Sequence, residues 1–499
     1  MIRFSRKKHN EHNAVYDELI DLSEMPEKKT KRRHSINREY AFITYGFFVL
    51  FLCLAGWFVY YLGFASENFI NSPYNPRLSQ LSDHIIRGSI LASDGTVLAE
   101  SSVDEADNES RSYPKANEYA HVTGFWEKGM SGIELECNFE LLRSHSFILE
   151  KIINELKGRK NQGDSIVTTL DTALTDTAYS GMSGYDGAVI AIEPGSGHIL
   201  TMISKPDFDP NSISANWDTY TASGSGSSVL LNRVTQGQYP PGSTFKIITA
   251  LEYLKESGRM SDTFDCTGSY TYGDTTIHCY HNIVHGHQTL EDAFGNSCNS
   301  VFASIGLGLS ASGTEKLAKR LLFNRSLPCD LKNVKKSSFS VSGSDSGLIM
   351  QTMIGQGNTL VTPIHMAMIV SALANEGVLM EPSVVDHTQN DGGITVKTFR
   401  PKEYGALFGE KETAALKRLM RHAVTDGTAS RLNSESYTAY GKTGTAEFSG
   451  NKSEAHSWFV GFANNDEKSI AVAIILERAG SGSEHAVPLA KEMFDVFFQ

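Results

Sequence analysis

The sequence predicts an α+β protein with a single N-terminal transmembrane helix, a small and mostly β stem, and a large C-terminal domain whose central antiparallel sheet is flanked by helices. Three observations support this prediction. An uncharged apolar run lies near the N-terminus, short strand and turn signals follow it, and strand and helix patterns alternate towards the C-terminus. We expect four regions, which span 1–39, 40–66, 67–165 and 166–499.

The apolar run from Ala41 to Phe64 contains 24 residues without a charge, and about 20 apolar residues suffice to span a bilayer. It could also be a buried core helix or part of a signal peptide, but it is long for a signal peptide and no clear cleavage site follows. Six Lys/Arg lie between 25 and 39, and only Arg77 lies between 65 and 86. The positive-inside rule therefore predicts a single-pass membrane protein with a cytoplasmic N-terminus and an extracytoplasmic remainder.

The charge is distributed unevenly along the chain. The net charge is −12, although the first 39 residues carry ten Lys/Arg against seven Asp/Glu. These 39 residues are polar and lack a period, so we expect a mostly disordered tail. The rest of the chain is correspondingly more acidic, which argues against nucleic acid as a partner.

The stem shows strand and turn signals but no group of catalytic residues. Arg87 to Ala99 reads as two short strands around the Asp94-Gly95 turn. A strand that leads into a helix begins at Gly163, which places the boundary of the next domain at 165. Residues 211–232 are rich in Ser, Gly, Asn and Thr and predict a loop.

The C-terminal domain alternates strand and helix patterns. Gly187 to Met202 predicts a hairpin, and Asn464–Glu467 predicts the turn of a second hairpin. The remaining segments are helices at about 286–310, 356–380, 411–425 and 486–498, and strands at 439–446, 457–462 and 470–476. Together these segments favour an antiparallel sheet covered by helices.

A turn, Pro240-Pro241-Gly242, delivers Ser243 to the first turn of a predicted helix whose apolar residues recur at 245, 248, 251 and 254. Ser243 and Lys246 are three residues apart and share a face of this helix. A hydroxyl beside an amine can be a nucleophile with a base in reach. Alone, the pair could equally be a helix cap and a solvated lysine.

Two further motifs follow in order, Ser297-Cys298-Asn299 and Lys442-Thr443-Gly444. The trio Ser-x-x-Lys, Ser-x-Asn and Lys-Thr-Gly occurs in class A β-lactamases and penicillin-binding proteins. A lysine near other cations can be neutral enough to accept the proton of a serine hydroxyl. Ser297 can relay that proton, and Asn299 can hold both the first-motif lysine and the substrate amide.

The third motif supplies binding groups. Lys442 offers a positive charge to a substrate carboxylate, and Thr443 and Thr445 offer hydroxyls. Gly444 lets a substrate strand approach the edge of the sheet. The backbone N–H groups of Ser243 and Thr445 would form the oxyanion hole, where one donor is typically worth about 10²–10³ in rate.

From its membrane anchor to its C-terminus the chain resembles a class B penicillin-binding protein of the compact Gram-positive type. The stem carries the resemblance in Arg87-Gly88-x-Ile90 and Gly132-Ile133-Glu134, and the C-terminal domain in Phe208 to Asn211 and Trp458 to Phe462. The resemblance implies a penicillin-binding domain that cross-links peptidoglycan stem peptides ending in D-Ala-D-Ala. It also implies that D-alanine leaves on acylation and that β-lactams trap the nucleophile.

The resemblance implies several partners and leaves alternatives open. Proteins of this type work in the membrane beside a polytopic glycosyltransferase of the shape, elongation, division and sporulation (SEDS) family. A D,D-carboxypeptidase or β-lactamase-like hydrolase would share the same site, and a non-catalytic scaffold or sensor in wall synthesis is a further alternative. The stage of growth that the protein serves and its acceptor amine stay open.

The resemblance implies no cofactor and no metal. Histidines 278, 281, 285 and 287 flank Cys279, but their spacing fits no strong ligand pattern. A disulfide between Cys266 and Cys279 is permitted outside the cell, and sequence alone does not decide whether it forms.

Overall fold

The computed structural model describes residues 33–61, 80–105, 108–222, 228–256, 258–447 and 454–499. Most of the predicted disordered tail and the connection from the anchor to the stem lie outside these ranges. The described chain forms two compact units, which divide between Asn68 and Phe69.

In the first unit the structure describes residues 33–61, which form the helix Arg33–Tyr60. Its segment Tyr40–Tyr60 has 21 residues, a mean hydropathy of 2.2 and no buried residues, so its length and composition allow it to cross a membrane. At about 1.5 Å per residue such a segment spans about 30 Å, the thickness of a bilayer core. The predicted apolar helix is therefore confirmed, and its orientation stays a prediction.

The stem is built on one edge of a six-stranded mixed sheet. The predicted hairpin around Asp94-Gly95 is confirmed, because Ile90 pairs with Ala99 across it. In spatial order the strands are Thr395–Thr398, Val385–Gln389, Ser165–Thr168, Ile90–Leu91, Val97–Val103 and Glu109–Ser112. The sheet is thus continuous across the predicted boundary at 165, since two of its strands come from the C-terminal part of the chain. The boundary itself stays a prediction.

Helices make up more of the stem than the sequence predicts. Besides the parallel pair Ile85–Ile86 and Asn161–Gln162, the stem contains the helical segments Ala116–Glu118, Ala120–Thr123, Gly132–Glu136, Asn138–Leu141 and Ile148–Leu156. The expectation of a mostly β stem was therefore too narrow. Four of these segments have five residues or fewer, which is too short to show a helical period in sequence.

Two of the stem motifs, the one that begins at Arg87 and the one that ends at Glu134, meet in a buried ion-pair network. Both carboxylate oxygens of Glu134, which has no exposed surface, are engaged: Arg87 Nε lies 2.5 Å from one and Arg111 Nε lies 2.8 Å from the other. Burial alone would raise the pKa of Glu134, but the two guanidinium groups outweigh it and hold that pKa below its ordinary value. The network ties the start of the stem to its central helices.

The predicted central antiparallel sheet of the C-terminal domain is confirmed. Its spatial order is Thr438–Glu447, Ala455–Asn464, Ser469–Leu476, Gly187–Ile192 and Ile199–Lys205. Helix Pro363–Ala374 covers one face, and helices Thr172–Gly181 and Ala486–Phe497 cover the other. Because both faces are covered, nine of the ten residues of Ala455–Asn464 are buried.

The remaining elements surround this sheet. The helices are Pro210–Ser212, Ile213–Thr221, Gly242–Phe245, Lys246–Glu256, Tyr280–Asn282, Leu290–Gly295, Asn299–Gly308, Ala311–Arg320, Ser346–Met353, Glu410–Thr425 and Ser430–Leu432. Three hairpin-like pairs complete the described chain: Thr263–Cys266 with Gly286–Thr289, Ser269–Tyr272 with Thr275–His278, and Val378–Met380 with Glu403–Ala406.

The predicted loop at 211–232 is wrong in its first half, where the chain forms the helix Ile213–Thr221. The Asp209 carboxylate accepts a hydrogen bond from the backbone of the preceding turn, and Ile213 is buried against Phe125 and Phe208. Tertiary packing therefore outweighs the weak helix propensity of this Ser- and Asn-rich segment.

Candidate active site

Ser243 lies on the tight helical turn Gly242–Phe245, immediately before the helix that begins at Lys246. Two hydrogen bonds hold this turn: the Gly242 N–H donates to Gly355 O at 2.8 Å, and Trp458 Nε1 donates to Pro240 O at 3.0 Å. Ser243 is half-buried, whereas both of its neighbours are buried. The turn therefore presents the serine from a rigid support.

Lys246 has no exposed surface, and its amine contacts three polar atoms of the second motif. Its Nζ donates to Ser297 O at 2.6 Å and to Asn299 Oδ1 at 2.7 Å, and it lies 3.3 Å from Ser297 Oγ. Burial lowers the pKa of Lys246 from 10.5 to about 7, because water no longer stabilises the ammonium form. Close to neutral pH this amine can therefore act as a proton acceptor.

Ser297 connects this amine to a second buried lysine. Lys442 Nζ donates to Ser297 Oγ at 2.8 Å and to Thr443 O at 3.1 Å. Burial, and after it the charge of Lys246, lower the pKa of Lys442 well below its ordinary value. Ser297 has a φ of 56°, a left-handed conformation that non-glycine residues adopt at an energetic cost. The fold therefore holds this hydroxyl between the two amines against local strain.

The third motif lies on the strand Thr438–Glu447, beside the Ser243 turn. Thr443 Oγ1 lies 2.6 Å from Thr428 Oγ1, and Thr445 is half-buried. A Cβ atom added at Gly242 would lie 2.8 Å from Thr445 O, so the turn and the strand are in direct contact.

The structure gives Gly444 a second role beside the predicted approach of substrate. A Cβ atom at this position would lie 3.0 Å from Thr244 Cγ2, 3.0 Å from Trp458 Cβ and 3.1 Å from Pro241 O. The glycine thus allows the strand to pack against the turn that carries the nucleophile. The sequence signal for this role is weak, since it depends on packing between distant segments.

All eight predicted site residues lie on these three neighbouring segments. Among the residues that the structure describes, the hydrogen bonds of Lys246 Nζ go to Ser297 and Asn299 and not to Ser243 Oγ. Sequence reasoning missed Thr428, which faces the third motif, and His278, whose carbonyl accepts from Asn299 Nδ2 at 3.0 Å. Neither residue belongs to a recognisable local pattern, because each acts through a long-range contact.

The cysteines behind the second motif do not form the disulfide that the sequence left open. Cys266 and Cys279 are free thiols, with their Sγ atoms 3.7 Å apart. Cys298 and His285 lie against the same pair. The histidine spacing considered in the sequence could not reveal this convergence, because Cys266 and Cys298 come from separate elements.

Comparison with family models gives two matches. The model described as the penicillin binding protein transpeptidase domain matches residues 187–495. The model described as the penicillin binding protein A dimerisation domain matches residues 87–166. The first match alone covers more than half of the chain and includes all three motifs.

Individual relatives agree with these matches. The peptidoglycan D,D-transpeptidase PbpA of Mycolicibacterium smegmatis is 29% identical over 460 residues, which cover 86% of this chain and 92% of the relative. The peptidoglycan D,D-transpeptidase MrdA of Acinetobacter baumannii is 27% identical over 382 residues, which cover 70% of this chain and 56% of the relative.

Solved structures agree as well. The imipenem acyl-enzyme complex of penicillin-binding protein A from Mycobacterium tuberculosis superposes with a TM-score of 0.75 at 25% identity, covering 84% of this chain and 100% of the other. The D,D-transpeptidase domain of a peptidoglycan glycosyltransferase from Eggerthella lenta gives a TM-score of 0.73 at 26% identity, covering 82% of this chain and 97% of the other.

Proposed function

This chain belongs to the class B penicillin-binding protein transpeptidase family, and from this membership we propose that it cross-links peptidoglycan stem peptides through an acyl-enzyme on Ser243. The observation that supports the proposal best is that half-buried Ser297 lies between two buried lysines, Lys442 and Lys246, of which Lys246 is one helical turn from Ser243. Such an arrangement supplies a base, a proton relay and a positive charge at one place. β-Lactams, which mimic the donor peptide, are inhibitors of the same site.

In the acylation step, Ser243 Oγ attacks the carbonyl carbon of the penultimate D-alanine, and its proton passes to the neutral amine of Lys246. The bond between this carbon and the nitrogen of the terminal D-alanine then breaks. The proton returns to that nitrogen through Ser297 Oγ, which lies 3.3 Å from one amine and 2.8 Å from the other. The products are an ester on the serine and free D-alanine.

The developing oxyanion needs two donors. The N–H of Ser243 is at the first turn of a helix, where backbone donors lack intrahelical acceptors, and the N–H of Thr445 is on the adjoining strand. Lys442 and the paired hydroxyls of Thr443 and Thr428 are suited to bind the terminal carboxylate of the donor peptide. Asn299 would orient both Lys246 and the peptide amide.

The second step distinguishes a transpeptidase from a hydrolase. An amine attacks the ester, loses a proton and forms a new amide, and Ser243 regains its hydroxyl; in a carboxypeptidase or β-lactamase, water takes the place of the amine. The test uses the full chain in detergent, a donor peptide ending in D-Ala-D-Ala and a D-amino acid as acceptor.

We expect a product in which the terminal D-alanine is replaced by the acceptor, in an amount that rises with acceptor concentration, and no product from Ser243→Ala. Release of only the shortened peptide at every acceptor concentration would show that the protein is a hydrolase. Mass spectrometry of the reaction mixture measures both outcomes.

Membrane topology, domain boundaries and the partner extend this proposal. We infer that helix Arg33–Tyr60 anchors the protein with its N-terminus in the cytoplasm and with the stem, 67–165, and the transpeptidase domain, 166–499, outside. Protease added to cells whose wall has been removed, but whose cytoplasmic membrane is intact, should then digest the stem and the transpeptidase domain and spare an N-terminal tag. A SEDS-family glycosyltransferase is the proposed partner, and its co-purification with the full chain is the test.

A further inference from the structure

Four potential metal ligands converge behind the second motif. They are Cys266, Cys279, His285 and Cys298, and their Sγ and imidazole nitrogen atoms all lie within 4.8 Å of one another. The three cysteines are at most 3% exposed, and the histidine is half-buried. A set of three thiols and one imidazole is a ligand set of structural zinc sites.

The distances within the cluster match a tetrahedral metal site. Zinc–sulfur bonds of about 2.3 Å at tetrahedral angles place two sulfur atoms about 3.8 Å apart, and a sulfur and a nitrogen about 3.5 Å apart. Cys266 Sγ and Cys279 Sγ are 3.7 Å apart, and so are Cys279 Sγ and Cys298 Sγ. His285 Nδ1 lies 3.4 Å from Cys266 Sγ. These separations are far longer than the roughly 2.05 Å of a disulfide.

The polar groups around the sulfur atoms suit thiolate ligands. The Gly268 N–H donates to Cys266 Sγ at 3.4 Å. Ser300 Oγ lies 3.1 Å from Cys266 Sγ, 3.3 Å from Cys298 Sγ and 3.6 Å from Cys279 Sγ. Hydrogen bonds of this kind orient metal ligands and stabilise their charge. Buried cysteines that act only as small apolar residues need neither a histidine nor these donors.

We propose that Cys266, Cys279, His285 and Cys298 bind one Zn²⁺ ion, which fixes the position of the second catalytic motif. Zinc fits because it takes four ligands in tetrahedral geometry, favours thiolate and imidazole, and undergoes no redox change. The site lies outside the reaction itself, since none of its ligands is a predicted catalytic residue.

The ligands come from separate elements that support the catalytic groups. Cys266 ends the strand Thr263–Cys266, and its pairing partner in the next strand is Gly286, which follows the histidine ligand. Cys298 lies between Ser297 and Asn299, the two residues that hold the Lys246 amine. A metal bound here would hold the strained conformation of Ser297.

The same metal supports Asn299 from its other side. Asn299 Nδ2 donates to His278 O, and His278 immediately precedes the ligand Cys279. Both ends of this hydrogen bond therefore belong to residues next to ligands. Zinc is thus a positioning element for the proton path, and its loss would move catalytic groups without removing any of them.

The first test measures metal content. The full chain, purified in detergent without chelators, should contain about one zinc per chain by elemental mass spectrometry. Cys266→Ser should lose this zinc, whereas the control Cys329→Ser, at a half-buried cysteine outside the cluster, should keep it. Wild-type protein without any tightly bound metal, or zinc retained by Cys266→Ser, would overturn the proposal. So would a bridged Cys266–Cys279 peptide in the unreduced protein.

Measurements on wild-type protein avoid the risk that a variant fails to fold. Stripping the metal with a chelator should lower Tm, and added Zn²⁺ should restore it. Reconstitution with Co²⁺ should give the visible absorption of tetrahedral cobalt–thiolate coordination, and His285→Ala should change that spectrum. An unchanged Tm after removal of the metal would contradict the proposed site.

The positioning role has its own measurement. Removing zinc should lower the second-order rate constant for acylation by a penicillin about 10- to 100-fold, since small displacements of catalytic groups are costly, and added Zn²⁺ should restore it. An unchanged rate constant would refute the positioning role. Metal content and the cobalt spectrum do not depend on activity, so failure of the proposed transpeptidation would leave these results interpretable.

Discussion

Replacing Lys246 with methionine tests the assignment of the general base. Methionine has a similar length and fits a buried site, but it cannot accept a proton. At pH 7 a lysine with a pKa of about 7 is roughly half neutral, whereas at the ordinary value of 10.5 only about one molecule in three thousand would be. Burial therefore raises the available base by about 10³-fold.

We expect Lys246→Met to lower the acylation rate constant by about 10²–10⁴, the usual contribution of a positioned base. This range corresponds to about 3–5 kcal/mol of activation free energy. The free energy of unfolding should change by less than this activation free energy. The variant leaves Ser297 O and Asn299 Oδ1 without their donor, at about 1–3 kcal/mol each, but it also removes the cost of burying an amine.

The assay follows acylation by a fluorescent penicillin in stopped flow between pH 5.5 and 9, with Tm recorded for every variant. For the wild type the rate constant should rise with pH and level off above about pH 7, because only the neutral amine accepts the proton. Lys442 Nζ lies against the same Ser297 hydroxyl, and burial together with the charge of Lys246 lowers the pKa of Lys442. Lys255→Met, a partly exposed lysine of the same helix, is the control and should acylate normally. If Lys246→Met acylates within tenfold of wild type with an unchanged pH profile, Lys246 is not the base.

Three further changes probe the site and the stem. Gly444→Ala should lower Tm and slow acylation by at least tenfold, because its Cβ would meet Thr244 Cγ2 at 3.0 Å and displace the nucleophile's turn; overpacking of this kind costs about 1–3 kcal/mol. Ser297→Ala should slow acylation by about 10²-fold with little change in Tm, since the carbonyl of residue 297 still accepts from Lys246. Glu134→Ala should lower the free energy of unfolding by about 3–5 kcal/mol, because it leaves two buried guanidinium groups, including that of Arg87, without a counter-charge.

Each of these three predictions has a result that would contradict it. Normal acylation by Gly444→Ala would show that the strand does not press on the turn. Acylation by Ser297→Ala at the wild-type rate would mean that Lys246 transfers the proton without the relay. Urea denaturation measures Glu134→Ala, and a loss below 1 kcal/mol would contradict the stem network.

The elements that the sequence predicted correctly carry their signals locally. The segment that contains Lys442 and the two segments that follow it show strand-like residue patterns. The helix after Ser243 shows its apolar period. These elements could therefore be recognised without the structure. The three motifs are short and follow one another in a fixed order, so their residues could be proposed as site residues from the sequence, and their roles stay predictions. None of these signals requires knowledge of which distant segments meet.

The features that the sequence missed depend on long-range contacts. The helix Ile213–Thr221 forms because Ile213 is buried against distant phenylalanines, and the stem sheet recruits strands from 385–398. The left-handed conformation of Ser297 has no sequence signature. The four proposed metal ligands are scattered over 33 residues of sequence, from Cys266 to Cys298, and they meet only when the strand pairs fold against the turn between two helices that carries Cys298.

The proposed mechanism depends on the acylation of Ser243. Intact-mass spectrometry of the full chain after incubation with a penicillin, followed by peptide mapping, tests it directly. We expect one penicilloyl adduct on the peptide that contains Ser243, and no adduct on Ser243→Ala at an unchanged Tm. An adduct on both proteins, or an adduct mapped to another residue of the wild type, would contradict it.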